Sequence, residues 1–495
     1  MAELESQSKT AKVILLSLGQ CFASASGFVI TAVLSRYFSK HDYASYRQVL
    51  LCFSMALPFL SLGIPVALYY FLPTEKERPR GVISENLILQ ILLGSLFVVF
   101  LYAGGAPLLA QRMDNYDIVI LLYVFAPYAI VQMLRSSLPG CFMSADKPKL
   151  LASFNAVSRF AECVFIVLAV IIFKTILSVL VVTVIAGLLA LTVGVVAVFR
   201  LYRSGPVMPS VAGIKDQLTY GAPLGLAAVF GSIMGYLDQL IVSLKCTPEA
   251  FAIYVNGAVR IPLLSVVVMS VTAVLLPELN VMYKKADKAG MLQLWQNAMV
   301  KSSFVVIPVT AFLMILADDA IALVFSQKYL ASVPVFRVFL LLLPFQMISY
   351  GPIFHASNNN KYIVVINLVT LAVHIPLLFF CIGYLGIIGA AAITVFSQVC
   401  IRILLHILFI GRIVERPLWS IIPFAKLNSV FVPALLFALP LMVRYLLDMA
   451  PAVSIGLCAL YYYPVCYLWL TRKAQAPTIS HVEKVLLKCS FREVS

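Results

Sequence analysis

The sequence predicts an all-α, polytopic membrane protein of about 14 transmembrane helices. Of its 495 residues, 62% are hydrophobic and only 12% are charged, and the mean hydropathy is +1.00. Soluble domains usually carry about 25% charged residues, and less than half of their residues are apolar. The apolar residues also fall in blocks of about 20, the length at which a helix crosses the hydrocarbon core of a bilayer. This composition excludes a soluble enzyme and a disordered scaffold.

Fourteen apolar spans follow one another along the chain, separated by short polar breaks. They are expected near residues 13–35, 44–71, 83–104, 118–138, 150–173, 176–199, 219–243, 251–277, 297–317, 334–354, 362–384, 386–410, 427–447 and 452–470. No break is long enough for a folded catalytic domain, and the GxxxxGK pattern of a phosphate-binding loop does not occur. We therefore expect a protein that is not an enzyme and that has no resident cofactor or metal.

Lysine and arginine residues predict the orientation of the spans. An even number of spans puts both termini on one side, and the breaks on that side hold most of the basic residues. The other side holds only Arg36, Lys40, Arg112, Lys174, Lys245 and Lys328. Both termini are therefore predicted to be cytoplasmic. Basic loops and arginines within the spans also explain the net charge of +15, so no nucleic acid partner is expected.

Two segments on the predicted cytoplasmic side have an amphipathic pattern. They are Tyr283–Gln296 and, in the basic tail, Ser480–Phe491. Both are expected to lie at the lipid interface, and an ordinary surface helix is an equal alternative for the tail.

Weak internal matches predict a duplication of six helices. Ser39, Tyr43, Ala44 and Tyr46 match Thr247, Phe251, Ala252 and Tyr254 at an offset of 208, and Phe142, Lys149 and Asn155 match Phe354, Lys361 and Asn367 at an offset of 212. The expected organisation is a six-helix lobe at 1–200, a second at 201–410, an additional helix pair at 411–470 and a cytoplasmic tail at 471–495. The second offset places Glu162 opposite His374, so both are expected to line one cavity.

Ionisable residues at mid-span are costly in a bilayer and indicate a cavity or a partner. The deepest are Arg159, Glu162, Arg260, His374 and Arg402, with Asp238 nearer the outer end of its span. Four further arginines are expected to be shallower, with ends that reach the interface: Arg47, Arg135, Arg337 and Arg444. Arg159 and Glu162 can form an ion pair, either inside a site or as a structural pair without a ligand. Arg444 and Asp448 are predicted to form a structural pair.

Arginines outnumber acids within the spans, where Glu162 and Asp238 are the clear acids. Guanidinium groups bind phosphate and diphosphate in a forked geometry, so this excess favours an anionic substrate over a cationic drug. His374 and His406 could titrate near neutral pH. A lone histidine on an apolar helix, however, is more often satisfied by local hydrogen bonds.

Several short runs are typical of one transporter family. They are Leu34–Tyr46, Leu237–Ile241, Ile253–Pro262, Leu276–Pro277, the basic segment Met282–Lys288 and the turn Asn358–Lys361. With these runs the chain resembles the Wzx-type polysaccharide (O-antigen) flippases of the multidrug/oligosaccharidyl-lipid/polysaccharide exporter superfamily. One departure concerns the lipid II flippases, whose first span carries arginines, whereas Ser17–Leu34 has none. This argues against the peptidoglycan precursor as substrate.

The resemblance implies two six-helix lobes that form a V around a central cavity, with a C-terminal helix pair. It also implies movement of an undecaprenyl-diphosphate-linked oligosaccharide, such as an O-antigen or exopolysaccharide repeat unit, from the cytoplasmic to the periplasmic leaflet by alternating access. The implied location is the bacterial inner membrane, and the implied partners are a polysaccharide polymerase and a chain-length regulator. A monomer is expected, since two lobes can enclose a cavity without a second chain.

Three hypotheses follow from these observations. In a flippase, Arg47, Arg159, Arg260 and Arg402 would bind the diphosphate or an acidic sugar. Glu162, Asp238 and His374 would couple transport to H⁺, Na⁺ or the membrane potential, or would hold those arginines. The alternatives are an ion-coupled multidrug exporter of the same fold and a non-transporting membrane scaffold for glycan enzymes.

Overall fold

The computed structural model describes residues 25–259, 261–447 and 449–473, and every regular element in these ranges is a helix. Eight of these helices are long and apolar enough to cross a membrane, and the number rises to 12 if each of four bent pairs counts as one span. The predicted all-α, polytopic membrane fold is therefore confirmed, whereas the count of 14 stays a prediction. The first predicted span, 13–35, is described only from residue 25.

Helix packing divides the described residues into two compact units, one up to Ala252 and the other from Ile253. The helices of the first unit are α1 (25–37), α2 (Lys40–Ser61), α3 (Ile64–Thr74), α4 (Pro79–Phe100), α5 (Ala106–Arg112), α6 (Ile118–Phe125), α7 (Tyr128–Ser144), α8 (Pro148–Phe173), α9 (Ile176–Leu201) and α10 (Val211–Lys245). A π-helical turn, Leu101–Gly105, joins α4 to α5.

The boundary between the units falls within α11 (Pro248–Gly257). The second unit continues with α12 (Pro262–Lys284), α13 (Lys288–Ile315), α14 (Ala317–Phe325), α15 (Val333–Leu340), α16 (Gly351–Ala356), α17 (Lys361–Phe396), α18 (Leu404–Val414), α19 (Phe424–Ala438) and α20 (Pro451–Lys473). A π-helical turn at Ser397–Ile403 and 3₁₀ turns at Gln327–Ser332, Leu343–Gln346, Leu418–Ser420 and Leu439–Leu446 complete the unit.

α10, which follows residue 200, packs within the first compact unit. Gly63 has a φ of +67°, and a Cβ there would lie 2.4 Å from the carbonyl oxygen of Gly221 on α10. A Cβ at Gly225 would lie 2.2 Å from the carbonyl carbon of Leu62. The start of α3 and the middle of α10 are thus in backbone contact, which only glycine permits. The domain limits expected at 200, 410 and 470 stay predictions.

Four predicted spans consist of two helical pieces that meet at an angle. The pieces of span 44–71 meet at 41°, those of 118–138 at 45°, those of 219–243 at 45° and those of 334–354 at 47°. Sharp bends usually occur at proline or glycine, and Gly63, Pro127 and Pro344 stand at or beside three of these breaks. The hydropathy pattern therefore located these spans but did not reveal their bends.

The offset of 212 recurs in the backbone turns. Three residues with left-handed φ in the first unit have counterparts 212 positions later: Asp114 with Ser326, Asp146 with Asn358, and Lys174 with Gly386. At the second pair, the N–H of Lys147 donates to Phe142 at 3.0 Å, and the N–H of Asn359 donates to Phe354 at 2.8 Å. Gly386 breaks α17 between the predicted spans 362–384 and 386–410, as Lys174 separates α8 from α9.

The offset of 208 recurs at the start of two helices, where equivalent side chains meet. Ser39 Oγ accepts from the N–H of Asp42 at 3.0 Å, and Thr247 Oγ1 accepts from the N–H of Ala250 at 3.3 Å. His41 Nδ1 lies 3.0 Å from Glu249 Oε1, its counterpart at this offset. A backbone hydrogen bond lowers the pKa of Glu249, and His41 lowers it further against the opposing effect of burial.

The expectation that Tyr283–Gln296 forms an interfacial helix is wrong. α12 ends at Lys284, and α13 begins at Lys288 and continues as a membrane-length helix. Trp295 is fully buried, and its indole N–H donates to the carbonyl of Ser349 at 3.1 Å. The apolar side of this segment faces the core of the second unit instead of lipid. Ser480–Phe491 lies outside the described residues.

Candidate functional site

Glu162 lies at the centre of a buried charged cluster in the first unit. Its side chain is 8% exposed, and Arg159, one turn earlier on α8, donates from Nη1 to Glu162 Oε2 at 3.2 Å. Arg135 of α7 approaches the same oxygen from Nη1 at 3.8 Å. The predicted Arg159–Glu162 pair is therefore present, and it has a second guanidinium partner.

Arg135 reaches Glu162 from the helix that precedes α8. α7 ends at Ser144 and α8 begins at Pro148, so three residues connect the two helices. Arg135 lies nine residues before the end of α7 and Glu162 lies 14 residues after the start of α8, so their contact depends on the length of the arginine side chain. The expectation that Arg135 reaches the interface is wrong, because its side chain is only 10% exposed.

Two tyrosines and one further arginine lie beside this pair of helices. Tyr46 of α2 and Tyr128 of α7 are both buried. The charge of Glu162 acts on both hydroxyl groups, and the charge of Arg47, which is partly exposed, also acts on Tyr46. We call Arg135, Arg159 and Glu162 the Glu162 cluster, whereas the guanidinium of Arg47 is hydrogen-bonded to Tyr43 on its own helix. The cluster holds two guanidinium groups and one carboxylate, so positive charge is in excess.

Part of the donor capacity of the Glu162 cluster is unused. Within the described residues, Arg135 Nη1 is buried without a hydrogen-bond partner, and so is the Oε1 atom of Gln132. These two residues are three apart on α7 and therefore share one face of the helix. A buried polar group without a partner costs about 1–3 kcal/mol, and a charged group costs more. Arg135 Nη1 can therefore donate a hydrogen bond to an additional anion, whereas Gln132 Oε1 can only accept one.

Arg402 and His374 belong to the second unit, and each forms a hydrogen bond with one of two adjacent residues, Gln398 and Ser397. Arg402 lies in a π-helical turn, a distortion frequent at functional sites, and donates from Nη1 to Gln398 Oε1 at 3.0 Å. Ser397 donates its hydroxyl proton to the carbonyl of Thr394, so its Oγ accepts from His374 Nδ1 at 2.7 Å. This assigns the proton of His374 to Nδ1 and leaves Nε2 as an acceptor.

The other candidate residues have different surroundings. His406 Nδ1 donates to the carbonyl of Arg402 at 2.6 Å, so this histidine is satisfied locally. Asp238 is buried on α10, with 8% of its surface exposed. Arg260 lies outside the described residues. Glu162 and His374 are in different units, and their sharing of one cavity stays a prediction.

Arg337 and Arg444, both expected to reach the interface, form ion pairs in the structure, and the Arg337 side chain is 40% exposed. Arg337 Nη2 donates to Asp318 Oδ2 at 2.6 Å. Arg444 donates from Nε and Nη2 to the two carboxylate oxygens of Asp319, whose side chain is fully buried. Arg444 is thus in a structural pair, but with Asp319; Asp448 lies outside the described residues.

The structure buries two acids, Glu85 and Asp319, in addition to the two that the sequence placed within the spans, Glu162 and Asp238. Glu85 is 1% exposed and accepts hydrogen bonds from Arg78, Ser210 and Gln217. Both Glu85 and Asp319 stand within two or three residues of the end of a predicted span, where an acid is expected to reach water. Packing against a neighbouring helix buries each of them, and no periodicity in the sequence signals that packing.

Comparison with known proteins assigns the chain to a family. A family model described as "Polysaccharide biosynthesis protein" matches residues 10–282, more than half of the chain. The chain is 22% identical over 432 residues to an uncharacterized membrane protein of Methanocaldococcus jannaschii, covering 81% of this chain and 83% of that protein. It is 28% identical over 229 residues, 44% of each chain, to an uncharacterized membrane protein in the cps region of Klebsiella pneumoniae.

The fold is similar to that of a solved transporter. The structure of the lipid II flippase MurJ in an inward closed conformation superimposes with a TM-score of 0.73, covering 92% of this chain and 99% of that one. The two sequences are 16% identical, so the similarity extends to the fold alone.

Proposed function

We propose that this chain, which belongs to the polysaccharide biosynthesis protein family and with it to the superfamily of the Wzx-type flippases, moves a lipid-linked oligosaccharide across the membrane. The proposed cargo is an undecaprenyl-diphosphate-linked O-antigen or exopolysaccharide repeat unit. It would pass from the cytoplasmic to the periplasmic leaflet by alternating access. The membrane fold and the family support a transporter instead of an enzyme.

The observation that carries this proposal is the excess of guanidinium groups in the Glu162 cluster. Arg135 and Arg159 share one carboxylate oxygen, at 3.8 and 3.2 Å. A diphosphate offers several anionic oxygens, and charge-assisted hydrogen bonds from arginine to phosphate are about twice as strong as neutral ones. In a partly desolvated site such an anion would supply the acceptor that Arg135 Nη1 lacks. A cationic drug would meet repulsion from the same groups.

Glu162 gives the site a means of coupling. While it is ionised, it neutralises part of the charge of Arg135 and Arg159 and competes with the diphosphate. If Glu162 binds a proton or pairs with Na⁺, both arginines become available to the substrate. By linkage, substrate binding then favours uptake of the ion by the same factor. Arg402, Asp238, His374 and Arg260 remain secondary candidates for this role or for binding.

The test is mass spectrometry of the lipids that co-purify with the protein from its native membrane. The wild type is expected to carry polyprenyl-diphosphate glycans. Arg159→Ala and Arg135→Ala should lose them and abolish glycan export, whereas Glu162→Gln should retain at least as much lipid and fail in coupled export. Arg412→Ala is the matched control, because Arg412 is an exposed arginine on a different helix.

The other hypotheses predict different results. A multidrug exporter would raise drug tolerance when expressed and would depend strictly on Glu162 or Asp238. A scaffold for glycan enzymes would lose abundance, not turnover, when Arg135 or Arg159 is replaced. Normal glycan export by both arginine variants at normal abundance would refute the flippase assignment.

The remaining parts of the proposal concern location and partners. We propose a bacterial inner membrane location with both termini in the cytoplasm, because the basic residues concentrate on that side. A polysaccharide polymerase would use the glycan once it is exported, and a chain-length regulator would act with it. The protein is proposed to act as a monomer.

A further inference from the structure

α8 and α9 flank an open groove at one end of the first unit. The groove has a volume of about 430 Å³ and is lined by Leu150, Thr192, Val193, Val196, Ala197, Arg200 and Leu201. Leu150, Val193 and Val196 are 39%, 61% and 46% exposed. Since both helices are long and apolar enough to span a membrane, we expect apolar side chains this exposed to contact lipid.

One end of the groove is strongly basic. Arg200 lies in the last turn of α9, and Lys149 is the second residue of α8, next to Leu150 of the groove wall. Lys147 caps the same end of α8. Across the described ranges, no carboxylate forms an ion pair with Arg200, Lys147 or Lys149. The groove therefore has an apolar body and a basic end, where the three basic residues outnumber the neighbouring acid Asp146.

The hydroxyl group of Thr192, which lines the groove, already has a hydrogen-bond partner on its own helix. Thr192 donates its hydroxyl proton to the carbonyl of Leu188 on its own helix at 2.9 Å. The remaining walls are aliphatic, with a basic group only where the helices leave the hydrocarbon. This distribution matches a lipid, whose chains are apolar and whose charge is at one end. It does not match an extended protein segment, which would need hydrogen-bond partners for its backbone along the whole groove.

We propose that this groove is a binding site for an anionic glycerophospholipid. An acyl chain would lie along Leu150, Val193 and Val196, and the phosphate would accept hydrogen bonds from the guanidinium of Arg200, with Lys149 adding its charge. Basic pockets between transmembrane helices bind anionic head groups in this way. The site is distinct from the Glu162 cluster, because twelve residues of α8, about 18 Å of helix, separate Leu150 from Glu162.

Native mass spectrometry of the full-length protein in detergent tests the proposal. The protein is titrated with phosphatidylglycerol and, separately, with phosphatidylcholine of the same acyl chains. The wild type should bind phosphatidylglycerol more tightly. Arg200→Gln should weaken that binding about fivefold, the effect of removing one cationic residue near an anionic head group. Arg412→Gln, which removes an exposed arginine away from the groove, should leave binding unchanged.

A second variant tests the apolar part of the site. Val196→Trp fills the groove while leaving Arg200 in place, and it should reduce binding of phosphatidylglycerol by at least the same factor. Elution as a monodisperse peak shows that each variant is folded, and Ala197→Phe replaces Val196→Trp if the latter is not. Glycan export by Arg200→Gln should be retained, which separates this site from the transport site.

Several results would overturn the proposal. Equal binding of the two phospholipids would show that the head group is not recognised. Unchanged binding by Arg200→Gln would show that the phosphate is bound elsewhere. Recovery of a polyprenyl-diphosphate lipid in the groove, lost in Val196→Trp, would assign the site to the transported substrate instead.

Discussion

In the Glu162 cluster, one carboxylate pairs with two guanidinium groups. Arg159 is held through helical spacing along α8, and Arg135 reaches the carboxylate from α7. Removing Glu162 would leave two arginines facing each other in a partly desolvated site. Removing one arginine would instead leave a pair. The two kinds of substitution therefore separate substrate binding from coupling, as the proposed experiment requires.

Arg444 and Asp319 form the most deeply buried ion pair among the described residues of the second unit. Asp319 is fully buried and also accepts from Ser454 Oγ at 2.8 Å, so α14, the turn at Leu439–Leu446 and α20 meet at one carboxylate. Replacing one partner of a buried pair leaves an uncompensated charge, at a cost of about 3–5 kcal/mol. Arg444→Ala should therefore lower the thermal unfolding midpoint substantially.

Thermal unfolding in detergent, followed by circular dichroism, measures this effect. Arg412→Ala is the control, and its midpoint should remain close to that of the wild type. Arg444→Lys should fall between the two, since lysine keeps the charge but loses the two-pronged geometry. Equal midpoints for Arg444→Ala and the wild type would contradict a stabilising role for the pair.

At the scale of whole elements, close backbone contact decides where α10 belongs. Its Gly221 and Gly225 lie against Leu62 and Gly63, in the break between α2 and α3. Larger residues at these positions would separate the helices. Gly231 is on the same helix, but among the described residues no atom lies within 4 Å of the position that a Cβ would take there. It therefore offers a comparison in which only helix propensity changes.

Gly225→Ala should destabilise the protein by about 1–3 kcal/mol, the usual cost of overpacking. Gly231→Ala should be neutral or slightly stabilising, because alanine favours helix by about 1 kcal/mol relative to glycine. The unfolding midpoints of the two variants in detergent give the comparison. A larger loss for Gly231→Ala than for Gly225→Ala would show that the contact between α3 and α10 does not control stability.

At the scale of the whole molecule, the basic loops predict a single orientation in the membrane. Trp419, 86% exposed, lies in the loop after α18, which also carries Arg416 and is predicted to be cytoplasmic. Tyr116, 67% exposed, lies in the loop before α6 on the opposite side. In a variant without its ten native cysteines, Tyr116→Cys should react with an impermeant maleimide in spheroplasts. Trp419→Cys should react only after the membrane is opened.

The ratio of labelling before and after permeabilisation is the measurement. Loss of maleimide labelling at Tyr116→Cys after pre-treatment with an impermeant thiol reagent serves as the accessibility control. The reverse pattern, with Trp419→Cys labelled in closed spheroplasts, would place the termini outside and would reverse the proposed direction of transport.

Local properties of the chain were enough to predict the membrane fold, the position of most spans and the Arg159–Glu162 pair. These features depend on hydropathy, helix length and spacing along one helix, and each can be read from a short stretch of sequence. The recurrence of left-handed turns, such as Asp146 and Asn358, at the predicted offset shows how directly such local patterns become backbone geometry.

Which distant charges meet depends on tertiary packing and could not be predicted. Arg135 forms an ion pair with Glu162, and Arg444 forms one with Asp319. Ser210 donates a hydrogen bond to Glu85. In each case the partners are far apart in the sequence or lie on different helices. Depth along a helix could be estimated from the sequence, but the direction in which each side chain points toward a neighbour could not. That direction depends on how bent helices pack at glycines such as Gly63 and Gly225, and a carboxylate at the end of a span becomes buried only when another helix covers it.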